Sequence, residues 1–389
     1  MDFTFTAEQK ALREEVRGFL EEEIKKGTFR PLCDACMTGF SKEFSRKLGE
    51  RGWIGMTWPK EYGGKARSYL DRLIVTEELL RYGAPVAAHW SVDRQMGPSL
   101  IAYGSDELKA EFLSRFTRGE LTFAIGMSEP EAGSDLASLK TQAVRENDVY
   151  IINGQKVWTS LAHVAEFCYL VARTDSSAPK HKGISEFIVD MQLPGITIKP
   201  ITNIAGGKEF NEVFFDNVRV PERYLVGKEN AGWHQITSQL DYERAGIERL
   251  MSNHTLFQFI KRYVKEQLIN FIPAEEYATV KRKLAQLEIE FEVGRLHVYR
   301  VAWILDQGRL PNYEAAMAKD YCARFEQRLA NTTLRILGLY GQLMDDSKWA
   351  LMEGAPARSY LLSPGYTIQG GTSEILRNII ALRGLELPR

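Results

Sequence analysis

Cysteine is scarce in this sequence, with 4 among 389 residues. A disulfide framework is not expected in a large chain without an export signal. Cys33 and Cys36 form a Cys-x-x-Cys pair, but no second pair and no suitably spaced histidines complete a zinc site. We interpret the pair as two thiols in a loop and predict no metal site.

An excess of charge of one sign is also missing, because 50 Lys and Arg face 51 Asp and Glu. Such a balance gives no bulk field to attract nucleic acid or an anionic membrane. No apolar run is long enough to span a bilayer. The first ten residues have neither the basic and apolar layout of a secretory signal nor the Arg-rich pattern of a mitochondrial presequence. We expect a cytoplasmic protein that binds neither nucleic acid nor membrane.

Helical and β-prone segments follow one another in the order α, β, α. The composition is that of a globular protein, with 44% hydrophobic and 26% charged residues. From Leu121 to about Val226, short β-prone runs are separated by Gly and Pro, which is typical of an antiparallel barrel or sandwich. Helical periodicity dominates on both sides, and long segments near the end predict a helical bundle. We therefore predict three domains, at 1–120, 121–230 and 231–389.

The segment from Val149 to Trp158 has the pattern of a β-hairpin. Two β-prone runs flank Asn153-Gly154, and Asn-Gly between such runs favours a two-residue turn. The sequence therefore predicts a hairpin with its turn at Asn153-Gly154. Further strands are predicted at 167–172, 187–191, 196–201 and 213–218.

One predicted helix has a carboxylate within an apolar stripe. Ile236, Leu240, Glu243, Ile247 and Leu250 follow the spacing of a single helical face. Burial raises the pKa of a carboxyl group, and a general base that works near neutral pH needs a raised pKa. The alternative is that Glu243 pairs with a basic group across a helix interface. The polar residues predicted on other faces are Asp241, Arg244 and Glu248.

Two segments are rich in glycine and hydroxyl side chains. Residues 126–135 follow a predicted strand, so their backbone N–H groups and hydroxyls can approach a ligand. Residues 368–377 contain a Gly-Gly turn before Thr372 or Ser373, either of which is a good N-cap for a helix whose N-terminus can receive a phosphate. Taken alone, the first pattern is more typical of a plain surface loop with Ser and Asp caps, and ordinary helix capping explains the second just as well.

Four motifs, kept in order along the chain, resemble those of the acyl-CoA dehydrogenase family. They are Ser128-Glu129-Pro130 with Ala132-Gly133-Ser134-Asp135, Asn153-Gly154-Gln155-Lys156-Val157-Trp158-Thr159-Ser160, the segment from Phe210 to Pro221, and Gly371-Thr372-Ser373-Glu374-Ile375-Leu376-Arg377. The resemblance covers essentially the whole chain. It implies an N-terminal α-helical domain, a middle antiparallel β-barrel-like domain and a C-terminal four-helix bundle, with FAD held between the β-domain and the bundle.

The resemblance also implies roles for the residues at matching positions. Some would face the flavin ring or its edge, and others would lie near the FAD phosphate and ribose. The residues expected to contact FAD are Ile125, Met127, Ser128, Trp158, Ser160, Thr372 and Glu374. The residues expected to contact the acyl-CoA are Ser134, Tyr242, Arg244 and Gly370.

The position of the catalytic base departs from the commonest family pattern. Many members carry a glutamate just before the Gly-Thr of the tail, where this chain has Gly370. Other branches carry it on the first bundle helix, in a Leu-Asp-x-Glu-Arg segment that residues 240–244 match. The resemblance therefore selects Glu243, the same residue that the helical periodicity indicates.

A second departure concerns an Arg-x-x-Phe-Gly segment, whose Arg contacts the FAD pyrophosphate of an adjacent subunit in the family. The corresponding stretch at 265–273 lacks it. Some bacterial branches that act on steroid, cyclic or other bulky acyl-CoAs resemble this chain, and certain of them form mixed tetramers. We therefore expect either a homotetramer or a mixed tetramer.

The reaction implied is α,β-dehydrogenation of an acyl-CoA thioester to the trans-2-enoyl-CoA, with electrons passing to an electron-transfer flavoprotein. Three alternatives remain open. The protein could be a same-fold flavin oxidase or monooxygenase, or a non-catalytic subunit of a mixed tetramer. It could also be a nucleic-acid-binding relative, although that would require a basic surface which this balanced chain does not suggest.

Overall fold

The computed structural model describes residues 4–244 and 246–388, and for residues 241–244 it describes the backbone alone. The α-helices are α1 (Ala7–Lys25), α2 (Ala35–Thr38), α3 (Lys42–Glu50), α4 (Tyr69–Arg81), α5 (Ala87–Ser91), α6 (Gly97–Tyr103), α7 (Asp106–Thr117), α8 (Gly232–Arg244), α9 (Glu248–Met251), α10 (His254–Glu266), α11 (Ala274–Asp306), α12 (Tyr313–Leu337), α13 (Ala355–Tyr366) and α14 (Ser373–Ile379). The strands are β1 (Phe123–Gly126), β2 (Gln142–Glu146), β3 (Val149–Lys156), β4 (Phe167–Arg173), β5 (Ile184–Asp190), β6 (Ile196–Ile201), β7 (Phe210–Pro221) and β8 (Leu225–Val226). The predicted order α, β, α is confirmed.

The chain divides into two compact units. The helical unit comprises Met1–Gly39, Ser68–Pro85 and Arg244–Arg389, and the sheet unit comprises Phe40–Arg67 and Val86–Glu243. Helices from the first 120 residues occur in both units, so the predicted domain boundaries at 121 and 231 stay a prediction. None of the helices in the described part of the chain is both long enough and apolar enough to cross a membrane.

In the sheet unit, the strands form one sheet in the order β6-β7-β3-β2-β4-β5-β8. Most neighbours are antiparallel, as predicted, but β1 and β2 both run parallel to β4. Because β2 and β3 come between β1 and β4 in the sequence, β1 and β4 are not the arms of a hairpin. Every second residue along a strand points to the same face of the sheet, and on one face such residues form a buried core that includes Tyr150, Leu170 and Val189.

The hairpin predicted around Asn153-Gly154 is wrong. Val149–Lys156 is a single strand, and its register against β7 shifts between Ile152 and Gly154, which is a β-bulge. A Cβ on Gly154 would lie 2.5 Å from the Thr141 hydroxyl, so the glycine permits a close approach rather than a chain reversal. The reversal occurs two residues before β3, since Glu146 pairs with Val149 and Asn147 adopts a left-handed φ of 57°.

The helical unit has a buried ion cluster that joins α1, α4 and α11. Glu77 accepts from Arg13 at 2.9 Å, from Arg295 at 2.5 Å and from the Tyr299 hydroxyl at 2.7 Å. Glu77 is fully buried, so three charge-assisted or hydroxyl hydrogen bonds offset its loss of hydration. The long helical segments predicted near the end of the chain are observed as α11 and α12.

The single helix predicted from Ile236 to Leu250 is interrupted. Helix α8 ends at Arg244 and α9 begins at Glu248, with Gly246 outside both. Glycine has a low helix propensity and commonly follows a helix end. Ile236 and Leu250 are buried, as predicted, but they belong to different helices. Glu248 is also buried, which contradicts its predicted place on another face.

Candidate functional site

The loop that follows β1 is tied to the end of β3 by a buried ion pair. Lys156 is 0% exposed, and its ammonium donates to Glu129 Oε1 at 2.7 Å and to the Met127 carbonyl oxygen at 3.0 Å. Glu129 also accepts from the backbone N–H groups of Lys140 and Thr141. Burial opposes ionisation of Glu129, but attraction to Lys156 and these donors outweigh burial and lower the Glu129 pKa. Burial lowers the pKa of Lys156 itself, while the attraction to Glu129 favours the ammonium form.

The same junction places Ser128 close to Trp158. The Val157 N–H donates to the Ser128 carbonyl oxygen at 2.9 Å. Trp158 has a φ of 59°, which is uncommon for a bulky residue, and its side chain is 59% exposed. Phe210 meets the indole edge-on, with ring centroids 6.1 Å apart. The outcome is an exposed aromatic surface beside the half-buried Ser128 and Ser160.

Asn211 fixes the backbone behind this indole. Its carbonyl oxygen accepts from the Thr159 N–H at 3.0 Å, and its side-chain amide donates to the Thr159 carbonyl oxygen at 2.9 Å. Both residues are buried, and within the described residues the Thr159 hydroxyl has no hydrogen-bond partner. The motif from Phe210 to Pro221 therefore holds the motif around Trp158 in place.

Helix α8 packs on the loop after β1. Ile236, with Leu240 beside it, shares an apolar cluster with Leu136 of the loop, and Met127 packs against this cluster. The last turn of α8 contains Tyr242, Glu243 and Arg244. The structure describes only the backbone of these three residues. Their roles at the substrate, which depend on their side chains, therefore stay predictions.

The two remaining residues of the sheet unit that were predicted to contact FAD or acyl-CoA differ in their exposure to solvent. Ile125 is half-buried on β1, and Ser134 is exposed in the loop. The loop beside Ser134 is braced by Asp135, which accepts from Lys180 at 2.9 Å and from the Ser138 hydroxyl at 2.6 Å. The ion pair is on the surface, where such pairs contribute little to stability.

In the helical unit, the Gly370-Gly371 turn leads into α14. Thr372 is the N-cap, because its hydroxyl oxygen accepts from the Ile375 N–H at 3.2 Å. Its hydroxyl hydrogen is therefore able to donate to a ligand. The buried Lys319 of α12 donates to the Gly371 carbonyl oxygen at 2.6 Å and holds the turn. Glu374 is exposed on the first turn of α14.

The backbone at Gly370 is left-handed, with a φ of 66°. A side chain in this conformation costs about 1–2 kcal/mol, which glycine avoids. A glutamate at this position would therefore be strained. The turn is accordingly better suited to present its backbone than to carry a carboxylate.

The surface around Trp158 fits one side of a flavin. An exposed indole offers a flat apolar contact, and the nearby hydroxyls of Ser128 and Ser160 can bond to a polar ring edge. The Thr159 hydroxyl, which is buried and lacks a partner among the described residues, adds a further polar group. These residues are those that would hold the ring of FAD.

Four residues that shape these surfaces were not assigned a role from the sequence. They are Glu129, Lys156, Asn211 and Lys319. The first three lie within the matched motifs, which was the signal available for them, whereas nothing in the sequence pattern indicates Lys319.

Three family models match the chain in sequence. They are the acyl-CoA dehydrogenase N-terminal domain at residues 6–120, the middle domain at 124–218 and the C-terminal domain at 230–385. Acyl-CoA dehydrogenase FadE26 of Mycobacterium tuberculosis is 35% identical over 405 aligned positions, which cover 100% of this chain and 99% of that protein. The sequence similarity therefore extends over the entire chain.

Solved structures agree with the sequence comparison. The structure named "Tcur3481-Tcur3483 steroid ACAD" has a TM-score of 0.90 and 32% identity, with 100% of both chains covered. A chain of the ChsE4-ChsE5 complex from Mycobacterium tuberculosis has a TM-score of 0.85 and 34% identity, again with 100% of both chains covered.

Proposed function

This chain belongs to the acyl-CoA dehydrogenase family of FAD-dependent oxidoreductases, and we propose that it converts an acyl-CoA thioester to the trans-2-enoyl-CoA with Glu243 as the catalytic base. The observation that carries the proposal is the packing of α8 on the loop after β1. That loop contains Met127 and Ser128, and the last turn of α8 contains Glu243.

The backbone at Gly370 supports the same assignment. Its left-handed φ of 66° disfavours any side chain, so a base supplied from another element is the simpler arrangement. The Gly370 N–H, two residues before the N-cap of α14, is the group we propose for polarising the thioester carbonyl.

The chemistry requires a base because the α-proton of a thioester is only weakly acidic. In the proposed reaction, the Glu243 carboxylate accepts the proton from Cα while the Gly370 N–H donates to the thioester oxygen. Bound FAD would supply the acceptor for the hydride that leaves Cβ, so that the substrate would lose two hydrogens and gain the α,β double bond. Ser128, Trp158 and Ser160 would orient the ring, and Thr372 and Glu374 would hold the phosphate and ribose region.

Replacement of Glu243 by glutamine tests this assignment. We expect Glu243→Gln to bind FAD and acyl-CoA but to reduce its flavin at least about 10²–10⁴-fold more slowly, because removal of a positioned base has this typical effect. The measurement is the rate of flavin bleaching after anaerobic mixing with acyl-CoA. Glutamine is nearly isosteric, so helix α8 should persist.

Asp241→Asn is the matched control, since it removes a carboxylate from the same turn of the same helix at a position predicted on another face. Glu248→Gln is unsuitable because Glu248 is buried. Near wild-type reduction by Glu243→Gln would show that the base is another residue. Gly370→Glu in the Glu243→Gln background tests for partial rescue, with the backbone strain at this position acting against it.

The substrate class and the assembly are further parts of the proposal. Similarity to a structure named as a steroid ACAD favours a bulky or cyclic acyl group. Similarity to a ChsE4-ChsE5 complex favours a mixed assembly of this chain with a related subunit, and a homotetramer is the alternative. Residues 265–273, which lack the family's Arg-x-x-Phe-Gly segment, also favour the mixed assembly. We propose an electron-transfer flavoprotein as the electron acceptor.

A further inference from the structure

A carboxyl group lies in the interior of the sheet unit without a cation. Glu186 on β5 is 0% exposed and has no ion pair within the described part of the chain. Its carboxyl oxygens accept from Gln235 at 2.8 Å, from Gln239 at 2.9 Å and from the Tyr169 hydroxyl at 3.3 Å. Burial raises the pKa of Glu186 to about 8, although these three hydrogen bonds act in the opposite direction.

The hydrogen bonds around Glu186 form a closed ring. Gln239 Nε2 donates both to Glu186 and to the Ser99 hydroxyl, the second at 2.9 Å. Ser99 and Tyr169 share a hydrogen bond at 2.8 Å, and Tyr169 returns to Glu186. The ring thereby joins β4, β5, α6 and α8. Its members other than Glu186 are one amide and two hydroxyls, and Gln235, which donates to Glu186 from outside the ring, is a second amide, so none of these groups supplies a positive charge.

Two members of this network lie on α8 one helical turn apart. Gln235 and Gln239 are both buried, and Glu243 follows Gln239 by one further turn. Gln235 also donates to the Val226 carbonyl oxygen at 3.0 Å. The network therefore contacts the two turns of α8 that precede the turn carrying Glu243.

The start of α8 is anchored on the same strand. The Asn230 N–H donates to the Ser185 hydroxyl at 2.8 Å, and Ser185 precedes Glu186 on β5. A Cβ on Gly232, the first residue of α8, would lie 2.9 Å from the Ile184 carbonyl oxygen, so helix and strand are in close contact. The apolar side of α8, at Ile236 and Leu240, packs on the loop after β1. Contacts within the sheet unit thus determine both the rotation of α8 about its axis and its position along that axis.

We propose that Glu186 is a positioning residue for the reaction, which holds α8 through Gln235 and Gln239 so that Glu243 is presented in the geometry needed for proton removal. This inference rests on the proposed function of Glu243. Apolar side chains at these positions would allow the helix to slide or rotate, whereas hydrogen bonds to one carboxyl group are directional.

The network is costly for stability, which supports a role other than stability alone. An unpaired buried carboxyl group is unfavourable, and burial of Glu186 is not offset by a cation. In addition, Gln239 Oε1 is buried and has no hydrogen-bond partner among the described residues, which is unfavourable because its hydration is lost without replacement. Departures from good packing of this kind are expected where function constrains a site.

The test compares Glu186→Leu and Glu186→Gln with the wild-type holoenzyme, each with Glu243 intact and in the Glu243→Gln background. The measurements are FAD content, the acyl-CoA dissociation constant and the rate of flavin reduction in anaerobic single turnovers. A displacement of about 1 Å costs on the order of 10²-fold in rate. We expect Glu186→Leu to lose about that much, with FAD content and the dissociation constant unchanged, and Glu186→Gln to retain more of the rate.

The double variants separate the two hypotheses. If Glu186 acts through Glu243, Glu186→Leu causes no further loss in the Glu243→Gln background. An equal loss in both backgrounds would overturn the positioning role while leaving the base assignment intact. Wild-type reduction by Glu243→Gln alone would overturn the proposed function and this inference with it.

Phe187→Leu controls for a general loss of stability. Phe187 is the next residue on β5, so it faces the other side of the sheet, where it packs in the core beside Tyr150. We expect it to lower the melting temperature without changing the rate in the FAD-loaded fraction. A Glu186→Leu protein that melts earlier but reduces its flavin at the wild-type rate would show that Glu186 is merely structural. If Glu186→Leu fails to fold, the same comparison is made with Glu186→Gln.

Discussion

Lys156 illustrates how a single buried charge can organise a binding surface. Its ammonium joins Glu129 and the Met127 carbonyl oxygen, and so fixes the loop after β1 against the strand that ends at Trp158. The cost of burying the ammonium is offset by a short ion pair whose carboxylate is also held by two backbone N–H groups. Lys156 therefore acts from behind the surface that we propose faces FAD.

Lys156→Met tests this role. Removal of one partner leaves Glu129 buried without its cation, so we expect a loss of about 3–5 kcal/mol in the free energy of unfolding. FAD affinity should fall as well, because the positions of Met127 and Trp158 are no longer coupled. Denaturant unfolding and FAD titration of the apoprotein measure the two effects. Lys140→Met, which removes only an exposed ion pair with Glu131, should change neither, and equal behaviour of the two variants would contradict the role.

At this scale the sequence predicts some site residues but not what supports them. Trp158 and Ser128 are predicted for the site because both belong to matched motifs. The contact between Glu129 and Lys156 could not be predicted, because it joins residues from separate segments whose proximity depends on the sheet register. Glu243 could be selected from helical spacing and from the family pattern together.

At the scale of elements, turn residues misled the prediction where strand pairing decided the structure. Asn153-Gly154 has the composition of a tight turn, yet it forms a bulge because the strand continues to pair with β7. The actual turn uses Asn147, whose left-handed conformation is also favourable for asparagine. Local turn preference could not distinguish these two asparagines, since the pairing of β3 with β7 is a contact between residues far apart in the sequence.

The long helices were predictable in place but not in their mutual contacts. Periodicity locates α4 and α11, whereas the ion cluster between them depends on tertiary packing around Glu77. Burial alone raises the pKa of Glu77, but the hydrogen bonds and charges of Arg295 and Arg13 outweigh burial and lower it to about 2. A lowered pKa means that the ionised form stabilises the folded helical unit.

Glu77→Gln should therefore destabilise the protein by about 3 kcal/mol at neutral pH, the lower end for a broken buried pair, since Glu78 and Glu292 remain near the two arginines. The Glu77 contribution is present above the unfolded pKa of 4.5 and declines as the pH falls toward 2. Unfolding of both proteins at several pH values should show a difference that shrinks across this window. Glu292→Gln is the control, because it removes an exposed partner of the same Arg295 and should cost less than about 1 kcal/mol. The account would be contradicted if the stability difference between wild type and Glu77→Gln did not change with pH.

At the scale of the whole molecule, the proposed assembly is supported by the family and by the similar solved structures whose names each pair two proteins. We expect light scattering to show a tetramer, formed either by this chain alone or together with a related subunit. Co-expression with a candidate subunit, followed by size measurement of the purified complex, distinguishes the two. A flavin-loaded and active monomer would contradict both forms of the proposal.

The central claim is that this chain uses FAD to dehydrogenate an acyl-CoA, and an anaerobic titration of the FAD-loaded protein tests it most directly. Acyl-CoAs with short, long, branched and ring-containing acyl groups are added in turn while flavin absorbance is followed. We predict that at least one bulky or cyclic acyl-CoA bleaches the flavin and yields one enoyl-CoA for each flavin reduced. A protein that takes up no FAD, or whose FAD is bleached by chemical reductant but by no acyl-CoA of the panel, would contradict the account.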